Sequence, residues 1–361
     1  MPQPDPVPDT SRDSDAEPGP AAGPAAGPAT AQPTGWRGWL KRWSGVITGV
    51  VLLLLGAVAV RHVAEDFDYN EVWAYLHGLP MGKVLQALAL TAAGYLVLTL
   101  YDVSALYYLR LRMPYSTVAL GSFAGYAVSN NVGFAVISGG SVRYRVYSAA
   151  GLTAADIAKI VVFSTTTFTL GLIFTGGLGI IVGPHPGAQL LNLPEWVLQA
   201  AGGLTLFGLF AATVLTAVTH RPVKLGPWSF SLPSGGLVLS QIAIASFEIV
   251  LSGAALFVLL PEGHGASFME FIGIFCAALA IAITSHVPGG IGVFEAVLLL
   301  GLKQQGSAGG VLGALLAFRF IYYVVPLVAA GVALGGWELR MQSGSIAKAW
   351  RETMRILSGR D

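Results

Sequence analysis

Two glycine-containing segments of this chain carry the side chains that are best suited to bind a ligand. In the first, the sequence SGGSVRYR at 138–145 places two arginines just after a pair of glycines, and Asn130 lies shortly before it. Glycine lets the backbone approach a ligand closely, the free N–H groups at a helix start favour an anion, and arginine offers a planar fork that matches phosphate. The pattern predicts a cradle for a phosphate group. The alternative is a loop in which Arg143 and Arg145 only follow the excess of cations on the cytoplasmic side of membrane proteins.

The second segment, SHVPGGIGVFE at 285–295, predicts a helix that breaks and restarts. Pro288 has no N–H and ends a helix, the glycines allow the chain to turn, and Val293 begins another helix. Glu295 falls in the first turns of that helix, where the positive end of the helix dipole favours a carboxylate. Glu295 is therefore either a cap of the helix or the charge partner of a cationic headgroup or an arginine.

Four isolated ionisable residues lie within apolar runs, where a charge is costly and indicates function by default. Glu248 and Arg319 fall in the middle of their runs and rank highest. The two could pair with each other, as part of a site or as an ion bridge that locks two helices. Asp102 and Lys159 lie nearer the ends of their runs, where a side chain can snorkel to the membrane surface.

The composition excludes several classes of protein. Of the 361 residues, 54% are hydrophobic and 11% are charged, and the mean hydropathy of +0.67 is too high for a soluble surface. The charge balance gives no basis for nucleic-acid binding, and the single cysteine, Cys276, excludes a disulfide scaffold. Phosphate-loop, G-x-S-x-G and H-E-x-x-H patterns are absent, so we expect no bound cofactor, no metal and no enzymatic activity.

Apolar runs predict an all-α, polytopic helical bundle in a membrane, since about 20 apolar residues span the ~30 Å hydrocarbon core. If every run crossed, Arg143 and Arg145 would lie outside, against the bias of cations toward the cytoplasm. Six full spans and two re-entrant broken-helix hairpins remove this conflict. The predicted spans lie near 44–62, 83–105, 157–183, 196–219, 236–260 and 309–336, and the predicted hairpins are 117–147 and 267–302.

The order of these elements predicts an inverted repeat. Each unit contains a span, a hairpin and a span, and the two units enter the membrane from opposite sides. Laying 136–145 on 286–295 aligns the two glycine pairs and places Arg145 opposite Glu295. Inverted repeats commonly hold the substrate near the midplane, where broken helices expose unpaired backbone groups.

The domain prediction has three parts. Residues 1–35 form a disordered tail rich in Pro, Ala and Gly, 36–339 form the membrane domain, and 340–361 form a basic tail on the membrane surface. Tryptophans and cations at 36–43 favour a cytoplasmic N-terminus. We expect a multi-pass protein of the cytoplasmic membrane with both termini in the cytoplasm.

Three segments resemble the membrane domain of the lysylphosphatidylglycerol synthase/flippase family, including its stand-alone members. They are SGGSVRYRVYSAAGL at 138–152, PGGIGVFEA at 288–296, and Arg319-x-x-Tyr322-x-x-x-Pro326, and the resemblance extends over about 44–336. It implies movement of a phospholipid, such as an aminoacylated phosphatidylglycerol, between leaflets. After Gly336 only 25 residues follow, too few for an aminoacyltransferase domain, so translocation without synthesis is expected.

The resemblance also implies roles for individual residues. The first hairpin would bind phosphate and the second would form the break and meet a cation or a site arginine, with Arg319 and Tyr322 lining the last span. The implied substrate-binding residues are Asn130, Ser138, Gly139, Gly140, Arg143, Arg145, Glu248, Pro288, Gly289, Gly290, Gly292, Glu295, Arg319 and Tyr322. Membrane lipids are the expected partners. An ion-coupled transporter of another anion, such as a polyprenyl phosphate, and a non-catalytic partner of a lipid synthase remain as alternatives.

Overall fold

The computed structural model of the protein describes residues 69–132, 135–219, 223–225, 228–230, 233–263, 265–302 and 308–357. The predicted tail at 1–35 and the first predicted span near 44–62 lie outside these residues. The helices are α1 (Tyr69–Gly78), α2 (Met81–Leu109), α3 (Tyr115–Val132), α4 (Ala135–Ala149), α5 (Ala154–Val182), α6 (His185–Leu191), α7 (Glu195–Thr219), α8 (Gly235–Leu259), α9 (Phe268–Thr284), α10 (Val293–Leu302), α11 (Ala308–Phe318) and α12 (Val325–Leu357). A 3₁₀ turn at Pro288–Gly290 precedes α10, a π-helical segment at Arg319–Val324 joins α11 to α12, and antiparallel strands β1 (Val223–Leu225) and β2 (Trp228–Phe230) follow α7.

Five helices in the described part of the chain are long and apolar enough to cross a membrane. They are α2, α5, α7, α8 and the continuous helix Ala308–Met341, which contains α11, the π-helical segment and the first half of α12. These helices coincide with five of the six predicted crossings and confirm a polytopic, all-α membrane protein. Helix α12 runs without a break past residue 340, where the sequence predicts the tail to begin.

Capping side chains set several of the helix starts. The Thr153 side chain accepts a hydrogen bond from the Asp156 N–H at the start of α5. At the start of α9, Ser267 and Glu270 form a reciprocal capping box, which satisfies two N–H groups that otherwise lack a partner. Each of these capping residues lies directly before an apolar run. The local sequence therefore determines where these two helices begin.

The second hairpin has the predicted break. Helix α9 ends at Thr284, and the chain turns through Pro288–Gly290 before α10 begins. Gly289, Gly290 and Gly292 have φ angles of 63°, 61° and 84°, in the left-handed region that glycine enters without steric penalty. The interpretation of 267–302 as a broken helix is therefore confirmed.

The first hairpin also consists of two helices, α3 and α4, but it does not turn where the sequence predicts. The predicted turn at Ser138, Gly139 and Gly140 is wrong, because all three residues lie inside α4. Gly139 instead allows α3 and α4 to approach closely, since a Cβ atom there would lie 2.9 Å from the carbonyl oxygen of Gly125. Helix α4 already begins at Ala135, so the glycines serve helix packing.

The two units of the predicted repeat exchange contacts reciprocally. The first long helices, α2 and α8, pack against each other. Helix α3 of the first hairpin packs against α12 of the second unit, and α9 of the second hairpin packs against α5 of the first. The α5–α9 approach is close enough that a Cβ atom at Gly179 would lie 2.7 Å from Cα of Gly273. This exchange is the pattern that a two-fold repeat produces.

Candidate functional site

The broken ends of the two hairpins contact each other through half-buried residues. A Cβ atom at Gly289, in the turn of the second hairpin, would lie 3.0 Å from the carbonyl oxygen of Asn131 and 3.6 Å from that of Asn130, at the end of α3. The Asn131 side chain donates hydrogen bonds to the carbonyl oxygens of Ala127 (2.8 Å) and Tyr323 (3.1 Å). The end of α3, the glycine turn and the π-helical segment therefore form one contact region.

Arg319 ties the π-helical segment to the second hairpin. Its Nε donates to Oε1 of Glu295 at 2.6 Å, and its Nη1 donates to the Gly289 carbonyl oxygen at 2.6 Å. The guanidinium also lies over the Tyr323 ring, 4.5 Å from its centroid. The other carboxylate oxygen of Glu295 accepts from the Gly292 N–H at 2.8 Å. Glu295 thus caps α10 and pairs with an arginine, and both interpretations of this residue hold together.

Glu248 has a different partner from the one the sequence suggests. Its Oε1 accepts a hydrogen bond of 2.9 Å from the Tyr322 hydroxyl. The predicted pairing of Glu248 with Arg319 is wrong, because the Arg319 side chain turns toward Glu295. Glu248 is buried, and among the described residues no lysine or arginine forms an ion pair with it.

Asp102 and Arg143 form a second buried ion pair, between α2 and α4. Arg143 Nε donates to Asp102 Oδ2 at 2.7 Å and Nη2 donates to Oδ1 at 3.1 Å. The hydroxyls of Tyr147 and Ser164 also donate to Asp102, at 2.6 Å and 2.9 Å. The Arg143 guanidinium lies 4.4 Å from the centroid of the Tyr126 ring. Asp102 is 0% and Arg143 3% exposed, so the carboxylate takes the place that the sequence analysis gave to a phosphate.

The two lower-ranked charges of the sequence analysis behave differently. Snorkelling is wrong for Asp102, whose carboxylate points into the bundle and is held there by four hydrogen bonds. Lys159 is 37% exposed near the start of α5 and pairs with Asp156 one turn away, at 3.4 Å. The distance of a charged residue from the end of an apolar run therefore does not predict whether its side chain is buried or exposed.

Arg145, in contrast to Arg143, is accessible. Its side chain is 62% exposed, and its Nη2 donates to Oε1 of Glu338 on α12 at 2.6 Å. Ser141 and Tyr144 are also exposed on α4. Helix α4 thus presents a polar, accessible face, whereas Arg143 of the same helix points into the interior.

Buried tyrosines connect these groups, and one of them, Tyr95, was missed by the sequence analysis. The Asn130 side chain donates to the Tyr95 hydroxyl at 3.3 Å, and that hydroxyl donates to the Tyr322 carbonyl oxygen at 3.2 Å. Tyr322 in turn donates to Glu248. A tyrosine within an apolar run usually needs a partner for its hydroxyl when buried, and that signal could have identified Tyr95. Over the described residues, no group of three or more His, Cys, Asp or Glu side chains is placed to hold a metal ion.

The family model and the individual proteins that this chain resembles match it over largely the same region. Residues 45–330 match the family model of the lysylphosphatidylglycerol synthase TM region. The chain is 34% identical over 321 residues to the uncharacterized protein slr0712 of Synechocystis, over 86% of this chain and 99% of that protein. It is 29% identical over 296 residues to the inner membrane protein YbhN of Escherichia coli, over 80% of this chain and 88% of that protein.

Longer proteins match over the same region. The phosphatidylglycerol lysyltransferase of Staphylococcus haemolyticus is 28% identical over 272 residues, which make up 74% of this chain and 30% of that protein. The chain therefore aligns with less than a third of that lysyltransferase.

Proposed function

Because the chain belongs to the lysylphosphatidylglycerol synthase TM region family, we propose that it moves an anionic or aminoacylated phospholipid between the leaflets of the cytoplasmic membrane. The observation that carries the proposal is the meeting of two broken hairpins around buried ion pairs inside an apolar bundle. The proposal assigns the chain no synthetic step. The name of the Escherichia coli relative, inner membrane protein YbhN, supports the choice of membrane.

The physical problem of the proposed reaction is the headgroup. A charged phosphate cannot enter the ~30 Å hydrocarbon core without a large free-energy cost, whereas the acyl chains can remain in it. Broken helices at depth, tolerated only where protein or a watery cavity covers them, supply free backbone groups and helix ends along a path. Such breaks at the interface of two repeats are the usual setting of a transporter site.

We assign the first contact with the lipid phosphate to Arg145. Its guanidinium is largely exposed, and its surface pair with Glu338 contributes little free energy, so a phosphate can replace that carboxylate. Arg143 could reach a phosphate only by leaving Asp102, which would leave a buried charge without a partner. We therefore assign Arg143 the role of holding α4 against α2.

The second hairpin is the proposed site for the rest of the headgroup. Asn130 and the turn residues Gly289 and Gly290 lie where the hairpins meet, and Arg319 holds the turn in place through Glu295. A cationic aminoacyl group would compete with Arg319 for the Glu295 carboxylate. Opening of this ion pair is the step that would distinguish an aminoacylated lipid from a plain anionic one.

The proposal is tested in liposomes that contain the purified protein and labelled phosphatidylglycerol or its lysyl ester. The measurement is the fraction of label accessible at the outer leaflet over time. We expect Arg145→Gln to slow movement by roughly 10- to 100-fold, since a charge-assisted hydrogen bond contributes about 1.5–3 kcal/mol. The matched control is Arg112→Gln, an exposed arginine of the α2–α3 loop, which should move lipid at the wild-type rate.

Two results would overturn the assignment in different ways. The first is that, in liposomes that contain the wild-type protein, neither lipid crosses faster than in protein-free liposomes while a labelled polyprenyl phosphate does. That result would show that the proposed substrate class is wrong. If Arg145→Gln and Arg112→Gln move lipid equally fast, the phosphate contact is wrong while translocation stands. A protein that moves no lipid alone but restores a synthase when both are present would favour the synthase-partner alternative.

A further inference from the structure

Three carboxylates are buried in the described part of the bundle, and they differ in their partners. Asp102 pairs with Arg143, and Glu295 pairs with Arg319. Glu248 is as buried as the other two, at 3% exposed, but a tyrosine hydroxyl is its hydrogen-bond partner. An ionised carboxylate without a counter-ion in a low-dielectric interior is costly, and taking up one proton removes that cost.

The surroundings of Glu248 contain weak acids rather than cations. The titratable groups that face it or act on it from the adjoining elements are Tyr95 and Tyr101 of α2, Tyr126 of α3, Cys276 of α9, and Tyr322 and Tyr323 of the π-helical segment. These groups are neutral at physiological pH. The described charged side chains on the helices that pack against α8 all have partners other than Glu248. They are Lys83 and Asp102 on α2, Asp156 and Lys159 on α5, Glu195 on α7 and Glu270 on α9.

The position of Glu248 connects it to the region where the hairpins meet. Tyr322, its partner, lies in the same π-helical segment as Arg319, which holds the turn of the second hairpin. A π-helical turn within an α-helix is frequently found at functional sites. A carboxylate only accepts hydrogen bonds, whereas a protonated carboxyl group also donates one. Protonation of Glu248 therefore changes its hydrogen bond with Tyr322 of the π-helical segment. Because Arg319 of the same segment holds the turn of the second hairpin, this change can be passed on to that hairpin.

We propose that Glu248 is a proton-binding site that couples lipid movement to a proton gradient. The proposal rests on the proposed function and supplies its source of energy. One O–H bond forms when a proton from water on one side of the membrane adds to a Glu248 oxygen, and the same bond breaks when the proton leaves to water on the other side. No oxidant or reductant takes part.

A proton fits this site better than a metal cation does. Sodium or another hard cation takes several oxygen ligands, typically carboxylates, carbonyls and water. Glu248 is the one carboxylate here, and the backbone carbonyl of Tyr322 already accepts from Tyr95. A sodium gradient is therefore the competing condition that the experiment must include.

The experiment uses the full chain in liposomes, with a pH difference of one unit or a sodium gradient across the membrane. For one proton per lipid, the pH difference sustains a leaflet ratio of up to about tenfold. We expect the wild type to approach this ratio and Glu248→Gln to give the ratio measured without a gradient. The matched control is Glu262→Gln, the same change at a carboxylate that is 90% exposed, which should respond like the wild type.

A second measurement tests proton binding without lipid movement. Infrared difference spectra should show a protonated carboxylic acid band that disappears as the pH is raised. We expect the band in the wild type, Glu262→Gln and Glu248→Asp, and its loss in Glu248→Gln. Identical spectra for the wild type and Glu248→Gln would overturn the proton site, whether or not lipid moves.

The two measurements separate the failures. A wild type that moves lipid but ignores the pH difference, or follows sodium instead, overturns the coupling and leaves the proposed function standing. A wild type that moves no lipid but shows the Glu248 band overturns the proposed function and supports the proton site.

Discussion

Replacing Arg143 with methionine should destabilise the folded protein by about 3–5 kcal/mol, the usual effect of removing one partner of a buried ion pair. Methionine keeps the unbranched apolar stem of the arginine side chain and removes the charged guanidinium. The loss of free energy comes from Asp102, which remains buried without its counter-ion. A second change, Asp102→Asn, removes that charge as well.

The hydrogen bonds of Asp102 determine how much stability the double variant should regain relative to Arg143→Met alone. Arg143 makes two hydrogen bonds to Asp102, at 2.7 Å and 3.1 Å, and both side chains are buried. Without Arg143, Asp102 keeps only the hydroxyls of Tyr147 and Ser164. Asparagine at position 102 still offers an oxygen to one of these two hydroxyls and carries no charge. The double variant should therefore regain roughly 2 kcal/mol, within the usual range for groups that interact directly.

Unfolding in detergent micelles with increasing denaturant, followed by tryptophan fluorescence, gives the free energies for the cycle. Arg112→Met, at an exposed arginine, serves as the control and should stay within about 0.5 kcal/mol of the wild type. If the losses of the two single variants add in the double variant to within about 0.5 kcal/mol, the charges do not compensate each other. That result would refute the role of Arg143 as the partner of Asp102.

Two further predictions concern helix packing and the second hairpin. Gly179→Ala should destabilise the protein by about 1–3 kcal/mol, because its Cβ would overlap Gly273, while Gly203→Ala, with open space around it, should stabilise it by about 0.5–1 kcal/mol. Equal melting temperatures for these two variants would contradict the close α5–α9 contact. Glu295→Ala should be about 1 kcal/mol less stable than Glu295→Gln, because glutamine keeps an oxygen for the N–H groups at the start of α10. Equal denaturant midpoints for the two Glu295 variants would show that the cap contributes nothing.

The sequence predicts the membrane helices well because their cause is local. About 20 consecutive apolar residues are sufficient to identify a span, and Pro288 with the glycines after it is sufficient to identify a break. The glycine pair at Gly139 and Gly140 has two physical outcomes, since glycine permits either a turn or a close helix contact. Only the neighbouring helix decides between them, and Gly125 of α3 is that neighbour.

The partners of the buried charges could not be predicted in the same way. Position within a run gives the depth of a residue in the membrane but not the side of the helix on which its partner lies. The similar depth of Glu248 and Arg319 predicts that these two side chains form an ion pair. In the structure Arg319 instead donates to Glu295, and Tyr322 donates to Glu248. The sequence predicts a surface position for Asp102 because this residue lies near the end of an apolar run, whereas the packing of α4 and α5 covers it.

The two units share a backbone plan but differ in charge, and this difference predicts the sign of the proposed coupling. Arg143 of the first unit pairs with Asp102, whereas among the described residues of the second unit no lysine or arginine pairs with Glu248. The cluster of Glu248, Glu295 and Arg319 thus carries one net negative charge when Glu248 is ionised and none when it is protonated.

An anionic phosphatidylglycerol headgroup is repelled less by the protonated cluster, so proton and lipid should cross in the same direction. The lysyl ester carries one net positive charge and favours the ionised cluster, so proton and lipid should cross in opposite directions. Measured with both lipids under the same pH difference, leaflet ratios that shift in opposite senses would support this account, and shifts in the same sense would show that the headgroup does not enter the cluster.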